Sequence, residues 1–124
     1  MSAVGSRLLY LLEREDGAYK IGSAMFPAGR MRQLEKAQGY RFAMLGEWRH
    51  PNAFRAEMLV HRTLRDMDFD LAENGGDETY WAPLDVVRST IKDALAAAAK
   101  ELGYSKVTIM RRMDAIERAA KEKK

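Results

Sequence analysis

The stretch "LLYLLEREDGAYKIG", Leu8 to Gly22, limits the possible folds more than any other part of the chain. An apolar run from Leu8 to Leu12 is followed, after Arg14, by Glu15-Asp16-Gly17 and then by a second short run beginning at Ala18. Two such runs on either side of Asp-Gly predict a β-hairpin. A hairpin commits the chain to an antiparallel sheet, and the sheet must bury its apolar side under helices.

The remaining pattern supplies those helices. Pro27 stands where a helix accepts proline best, at its first position, and Met31, Leu34 and Ala37 or Gln38 recur at helical spacing until Gly39. "YRFAMLGEW" predicts a third strand with Phe42, Met44 and Trp48 on one side. "HPNAFRAEMLVHRTLRDM" predicts a helix opened by Pro51 and Asn52, with Ala56, Leu59, Val60, Thr63, Leu64 and Met67 as its buried stripe. "DLAENGGDETYWAPL" reads as a loop with a Gly-Gly break and a short extended piece near Tyr80 and Trp81.

A further helix runs from Leu84 or Asp85 through Val87, Ile91 and Leu95 to Leu102, where Gly103 ends it. Ser105 can cap a last helix whose apolar side is Val107, Met110, Met113 and Ile116. The order β-β-α-β-α-α-α predicts an α+β fold, a small three-stranded antiparallel sheet flanked by helices over residues 7–95. A basic helical extension over 96–124 follows.

A length of 124 residues with 47% hydrophobic content suffices for one modest core. Cysteine is absent, which excludes disulfides, thiolate metal sites and cysteine nucleophiles and makes a cytoplasmic setting the default expectation. The opening "MSAVGSRLLYLLERED" is too brief for a membrane span and lacks a signal-peptide cleavage pattern. Of the net charge of +3, the excess lies in Lys100 to Lys124, with eight basic and four acidic residues. That asymmetry suits a phosphate-rich partner, and equally a solvated helix end.

Tyr10, "YKIG" at Tyr19 to Gly22, Pro27 with Arg30, Glu57 with His61, and "DETYW" at Asp77 to Trp81 form an ordered set that resembles the GIY-YIG endonuclease superfamily. The nearest branch is the phage and fungal one whose second signature reads Y-K-I-G. Read singly, Tyr10 suits strand packing, Arg30 and Arg32 a solvated helix start, Glu57 with His61 a surface pair, and Trp48, Tyr80 and Trp81 core or edge packing. Only the joint pattern points to a site.

The resemblance implies phosphodiester hydrolysis in DNA, with RNA as a further possible substrate, using one Mg2+ or Mn2+ ion. It implies Tyr10 as the hydroxyl that positions or deprotonates water, Arg30 as the contact to the scissile phosphate, Glu57 as the metal ligand and His61 as a proton acceptor or relay. Arg32 would add a nucleic-acid contact. In the wider superfamily a tyrosine stands two residues before the signature glycine, where this chain has Lys20, with Tyr19 one residue earlier. Hairpin register decides which of the two faces Tyr10. A two-residue Asp16-Gly17 turn puts Tyr19 there, whereas a three-residue loop, Glu15 to Gly17 with Gly17 left-handed, puts Lys20 there. The branch shares the lysine, which favours the second. Gly22 and Ser23 suit a corner where the backbone turns or a phosphate approaches closely.

"AAKELGYSKVTIMRRM", Ala98 to Met113, resembles the helix-turn-helix of Fis-type DNA-binding proteins. That resemblance implies Lys106, Thr108, Arg111 and Arg112 at phosphates or base edges. The competing expectation is an amphipathic helix that packs on the first domain or pairs with a second copy. A nucleic-acid-binding protein that keeps the fold without the chemistry is the alternative to an enzyme, and Lys20 is the feature that favours it.

Overall fold

The computed structural model describes residues 7–76 and 78–103. Strands β1 (Leu8–Arg14) and β2 (Tyr19–Ala24) form the hairpin. Arg14 N–H donates to the Ala18 carbonyl and Gly17 N–H to the Arg14 carbonyl, both at 2.8 Å, so the connection is the three-residue loop Glu15 to Gly17. Gly17 has φ +96°, a conformation that a side chain would strain. The resulting register sets Tyr10 opposite Gly22 and Leu12 opposite Lys20. Directly opposed residues share a face, so Lys20 and not Tyr19 shares the face of Tyr10.

Helix α1 (Pro27–Gln38) starts with proline at its first position, and Gly39 closes it at φ 77°, donating to the Glu35 carbonyl at 2.9 Å. After α1 come β3 (Phe42–Arg49), α2 (Ala53–Asp66), β4 (Thr79–Tyr80) and α3 (Leu84–Glu101). The sheet is antiparallel with order β3-β1-β2-β4. The expected three strands become four because the extended piece at Tyr80 pairs with the free edge of β2, Tyr19 against Tyr80 and Lys20 against Thr79.

Two cores cover the two faces. Leu9, Leu11 and Ile21 pack with Ala56, Val60 and Leu64 of α2 and Val87, Ile91 and Leu95 of α3. Tyr10, Leu12 and Phe42 pack with Leu34 of α1. The register between β1 and β3 shifts between Leu11 and Leu12, which leaves Leu45 as an extra residue. This bulge corrects the expected strand face: Phe42 and Met44 lie on the α1 side, whereas Trp48, opposite Leu9, is on the other. The Trp48 indole lies over Gly46, where any Cβ would strike the ring.

The buried stripe of α2 is also rotated from the expected one. It comprises Ala53, Ala56, Glu57, Val60, His61 and Leu64, while Thr63 and Met67 are exposed. Two polar side chains thus replace two expected core positions. His50 ties the start of α2 to α3: its Nε2 donates to the Leu95 carbonyl at 2.8 Å, and its Nδ1 accepts from Asn52 N–H at 2.9 Å. Helix α3 ends at Glu101, one residue before the expected stop, and the expected last helix lies outside the described residues.

The loop from α2 to β4 is held by Arg14, which is 1% exposed. Its guanidinium makes two bonds to Asp16, at 2.8 and 2.7 Å, a third to the Glu73 carbonyl at 2.8 Å, and stacks over the Tyr40 ring at 3.9 Å. Asn74 at φ 60° and Gly76 at φ 67° then reverse the chain. Thr79 returns to bond the Gly75 carbonyl through Oγ1 at 3.0 Å, and the Glu78 side chain is delivered to the edge of β2.

Candidate active site

Gly22, Ser23 and Ala24 are the last residues of β2, after which the chain leaves the sheet through Met25 and Phe26 and enters α1. An open cleft of about 700 Å³ lies there, and Tyr10, Arg30 and Glu57 all line it, together with Arg7, Gln33 and Glu78. Three elements supply these groups: the strand β1, the first turn of α1 and the buried stripe of α2. Residues 20 and 27 positions apart in sequence meet because the hairpin register and the packing of α2 on β2 bring them to one corner.

Tyr10 is 2% exposed and reaches the cleft across Gly22. A Cβ at Gly22 would land on the Tyr10 hydroxyl and ring, so glycine is required there by close approach. Burial pushes the Tyr10 hydroxyl above its ordinary value, reinforced by the charges of Glu57 and Glu78, and a hydrogen bond and charge from Arg30 oppose it without cancelling it. The phenol is therefore neutral at ordinary pH. Arg30 itself is exposed and also donates to Gln33 at 3.4 Å.

Glu57 is 8% exposed and held at both oxygens. Ser23 Oγ donates to Oε1 at 2.7 Å, and His61 Nε2 lies 3.4 Å from Oε2. Burial alone would raise its carboxyl, but the nearby His61 imidazole, the hydrogen bond from Ser23 and the charge of Lys20 outweigh burial and hold it below the ordinary value. Glu57 is thus kept ionised. Lys20, on the same sheet face as Tyr10, is buried and forms an ion pair with Glu78.

His61 is buried, and its Nδ1 is 2.8 Å from the Tyr80 hydroxyl. Its Nε2 is buried without a hydrogen bond among the described residues, the 3.4 Å approach to Glu57 being long and poorly aimed. A buried nitrogen beside two carboxylates fits a ligand set. Glu57, His61 and Glu78 each offer an atom within 4.8 Å of the others, a cluster able to hold a divalent metal ion.

Tyr19 lies on the opposite sheet face, its hydroxyl donating to Glu13 at 3.2 Å, and it does not line the cleft. Arg32 is exposed on α1 and is likewise not part of the lining. Lys106, Thr108, Arg111 and Arg112 lie outside the described residues. Sequence reasoning assigned no site role to Ser23, Glu78 or Tyr80. The acidic-aromatic run Glu78 to Trp81 was the signal for the last two, although only Tyr80 of its two aromatics is buried. Among the described residues no helix is long and apolar enough to cross a membrane.

Residues 7–95 match the family model of the T5orf172 domain, and the chain belongs to that family, which is associated with nuclease-type domains. No curated protein and no solved structure matches the chain.

Proposed function

We propose that this T5orf172-domain protein is a metal-dependent endonuclease of the GIY-YIG type that hydrolyses phosphodiester bonds in DNA. The observation that carries the reading is the convergence of a buried phenol, an exposed guanidinium and an ionised carboxylate, Tyr10, Arg30 and Glu57, on one open cleft. Residues 7–95 would form the catalytic unit, with the basic segment 96–124, including Lys106, Thr108, Arg111 and Arg112, as an added grip on nucleic acid.

Glu57, His61 and Glu78 would hold Mg2+ or Mn2+, which would supply Lewis acidity and neutralise charge at a phosphate oxygen. Arg30, at the mouth of the cleft, can make two parallel hydrogen bonds to the scissile phosphate and stabilise its developing charge. Tyr10 acts as a neutral hydroxyl that orients the attacking water, because burial keeps the phenol protonated and leaves little phenolate to serve as a base. Ser23 and Tyr80 are positioning residues, fixing Glu57 and His61. Tyr19 braces the hairpin through Glu13, outside the chemistry.

Supercoiled plasmid incubated with the protein and either metal tests the reading. Cleavage is expected, and Glu57→Ala and Arg30→Ala should each lower it by roughly 100-fold or more. Intact plasmid with both metals, or unchanged cleavage by both variants, overturns it.

One observation favours a second reading, a nucleic-acid binder without catalysis. The Lys20 ammonium already engages Glu78, one of the three metal-capable side chains. Under that reading the protein retards DNA in a gel but leaves it uncut.

A further inference from the structure

The cleft has an apolar wall that phosphate chemistry does not use. Phe26 and Phe54 are 76% and 57% exposed, Met25 is 54% exposed, and all three line the same cleft as Arg7 and Arg30. The chain's other two phenylalanines, Phe42 and Phe69, are packed on the two cores. Phe26 occupies the N-cap of α1, where an oxygen-bearing side chain would satisfy free amides, and no side chain caps that helix. Phe54 faces outward from the first turn of α2 while its neighbours Ala53 and Ala56 are buried. Neither ring is explained by folding.

We propose that Phe26 and Phe54 are stacking platforms for unpaired bases next to the scissile phosphate, so that the cleft prefers single-stranded or locally unpaired nucleic acid to continuous duplex. The proposal rests on the nucleic-acid reading of the cleft and adds its substrate class. In a continuous duplex the faces of the bases are covered by their neighbours, and a protein meets phosphates and groove edges, against which a phenyl ring gains little. In an unpaired strand every base offers a face, and an aromatic ring beside cationic side chains is the arrangement that binds it. Here Arg7 and Arg30 supply the charge for the backbone, and the two rings stand at the starts of the two helices that flank it. An apolar protein partner would have no use for the two guanidinium groups.

Fluorescence anisotropy in EDTA separates binding from cleavage. The probes are a labelled single strand, the matching blunt duplex, and that duplex carrying a short unpaired bulge. The wild type should bind the single strand and the bulged duplex at least about tenfold tighter than the blunt duplex. Phe26→Ala and Phe54→Ala should each weaken single-strand binding by roughly 5- to 150-fold while leaving duplex binding within about twofold. Phe26→Trp should retain single-strand binding and Phe26→Leu should lose it, because leucine keeps apolar area without a flat ring. Both positions are exposed, so unchanged melting temperatures will show that the variants fold.

Equal affinity for single strand and duplex, or phenylalanine variants that bind like the wild type, overturns the stacking proposal and leaves the nuclease reading standing. Lower oligomeric mass in the variants with unchanged discrimination overturns it in favour of a contact between copies. Failure of the wild type to bind any probe overturns the stacking proposal, and the plasmid assay with metal then decides the nuclease reading separately. Ring-dependent discrimination without plasmid cleavage supports stacking and overturns the nuclease.

Discussion

The imidazole of His61 and the phenol of Tyr80 are 2.8 Å apart, Nδ1 to oxygen, with their rings stacked at 5.6 Å between centroids. The contact joins α2 to the two-residue strand β4, and it turns the other imidazole nitrogen toward Glu57. A hydroxyl on the last strand to join the sheet thereby fixes a side chain in the proposed ligand set.

Tyr80→Phe keeps the packed ring and removes the bond. It should cost about 1–3 kcal/mol of stability, the penalty for leaving a buried nitrogen unpaired. Affinity for Mn2+ should fall by about 10–100-fold, as is usual when a partner behind a histidine ligand is lost. Urea unfolding and calorimetric titration measure the two. Unchanged metal affinity would remove Tyr80 from the site.

Gly22→Ala should displace Tyr10, since the added methyl lands on its hydroxyl and ring. The expected loss is about 1–3 kcal/mol of stability, with a drop in plasmid cleavage. Gly29→Ala is the control: it also lines the cleft, but its new methyl meets only Phe26 Cβ at 3.9 Å. That helical position should gain up to about 1 kcal/mol. Thermal melts of both decide whether close approach, rather than glycine content, matters at position 22.

His50 predicts a pH dependence. Burial lowers its pKa and outweighs the bond it donates to the Leu95 carbonyl and the bond it accepts from Asn52 N–H. The unfolded imidazole, at about 6.5, therefore takes up a proton before the folded one does. Its contribution to stability is complete above about pH 6.5 and is lost as the pH falls from there toward the lower folded value. His50→Gln should be less stable at neutral pH yet show a flatter stability profile on the acid side. Identical acid slopes for both proteins would count against the assignment.

The Lys20–Glu78 pair is asymmetric, with side-chain exposures of 4% and 40%. Removing the half-exposed partner strands a buried ammonium, whereas removing the lysine leaves a carboxylate that water can reach. Glu78→Gln should therefore cost about 1–3 kcal/mol and Lys20→Met about 1 kcal/mol or less. Chemical denaturation that ranks them the other way would refute the burial argument.

Local chemistry made most of the elements legible. Asp16-Gly17 marked the hairpin, Pro27 and Gly39 bounded α1, and the apolar spacing of Val87, Ile91 and Leu95 marked α3. The bulge at Leu45 was not legible, because one extra residue in β3 is decided by how it meets β1 and not by its own alternation. The exposure of Thr63 and Met67 was hidden for a related reason. Helix periodicity allowed a stripe with either set, and the α2 face that packs Ala56, Val60 and Leu64 into the core also buries Glu57 and His61, which bond Ser23 and Tyr80.

By itself the amino-acid order determined the short-range structure, an antiparallel hairpin and three helices bounded by proline, glycine and polar residues, while Tyr10, Arg30, Glu57 and His61 were candidates through the resemblance. Only the tertiary structure decided that Lys20 shares the face of Tyr10, that β4 closes the edge of β2, that Glu78 completes the cluster with Glu57 and His61, and that Tyr80 bonds His61 behind it. The reason is one of range. Turn and helix signals act over a few neighbouring residues, whereas β4 is a two-residue strand without periodicity, and its place depends on pairing with β2 across some sixty intervening positions.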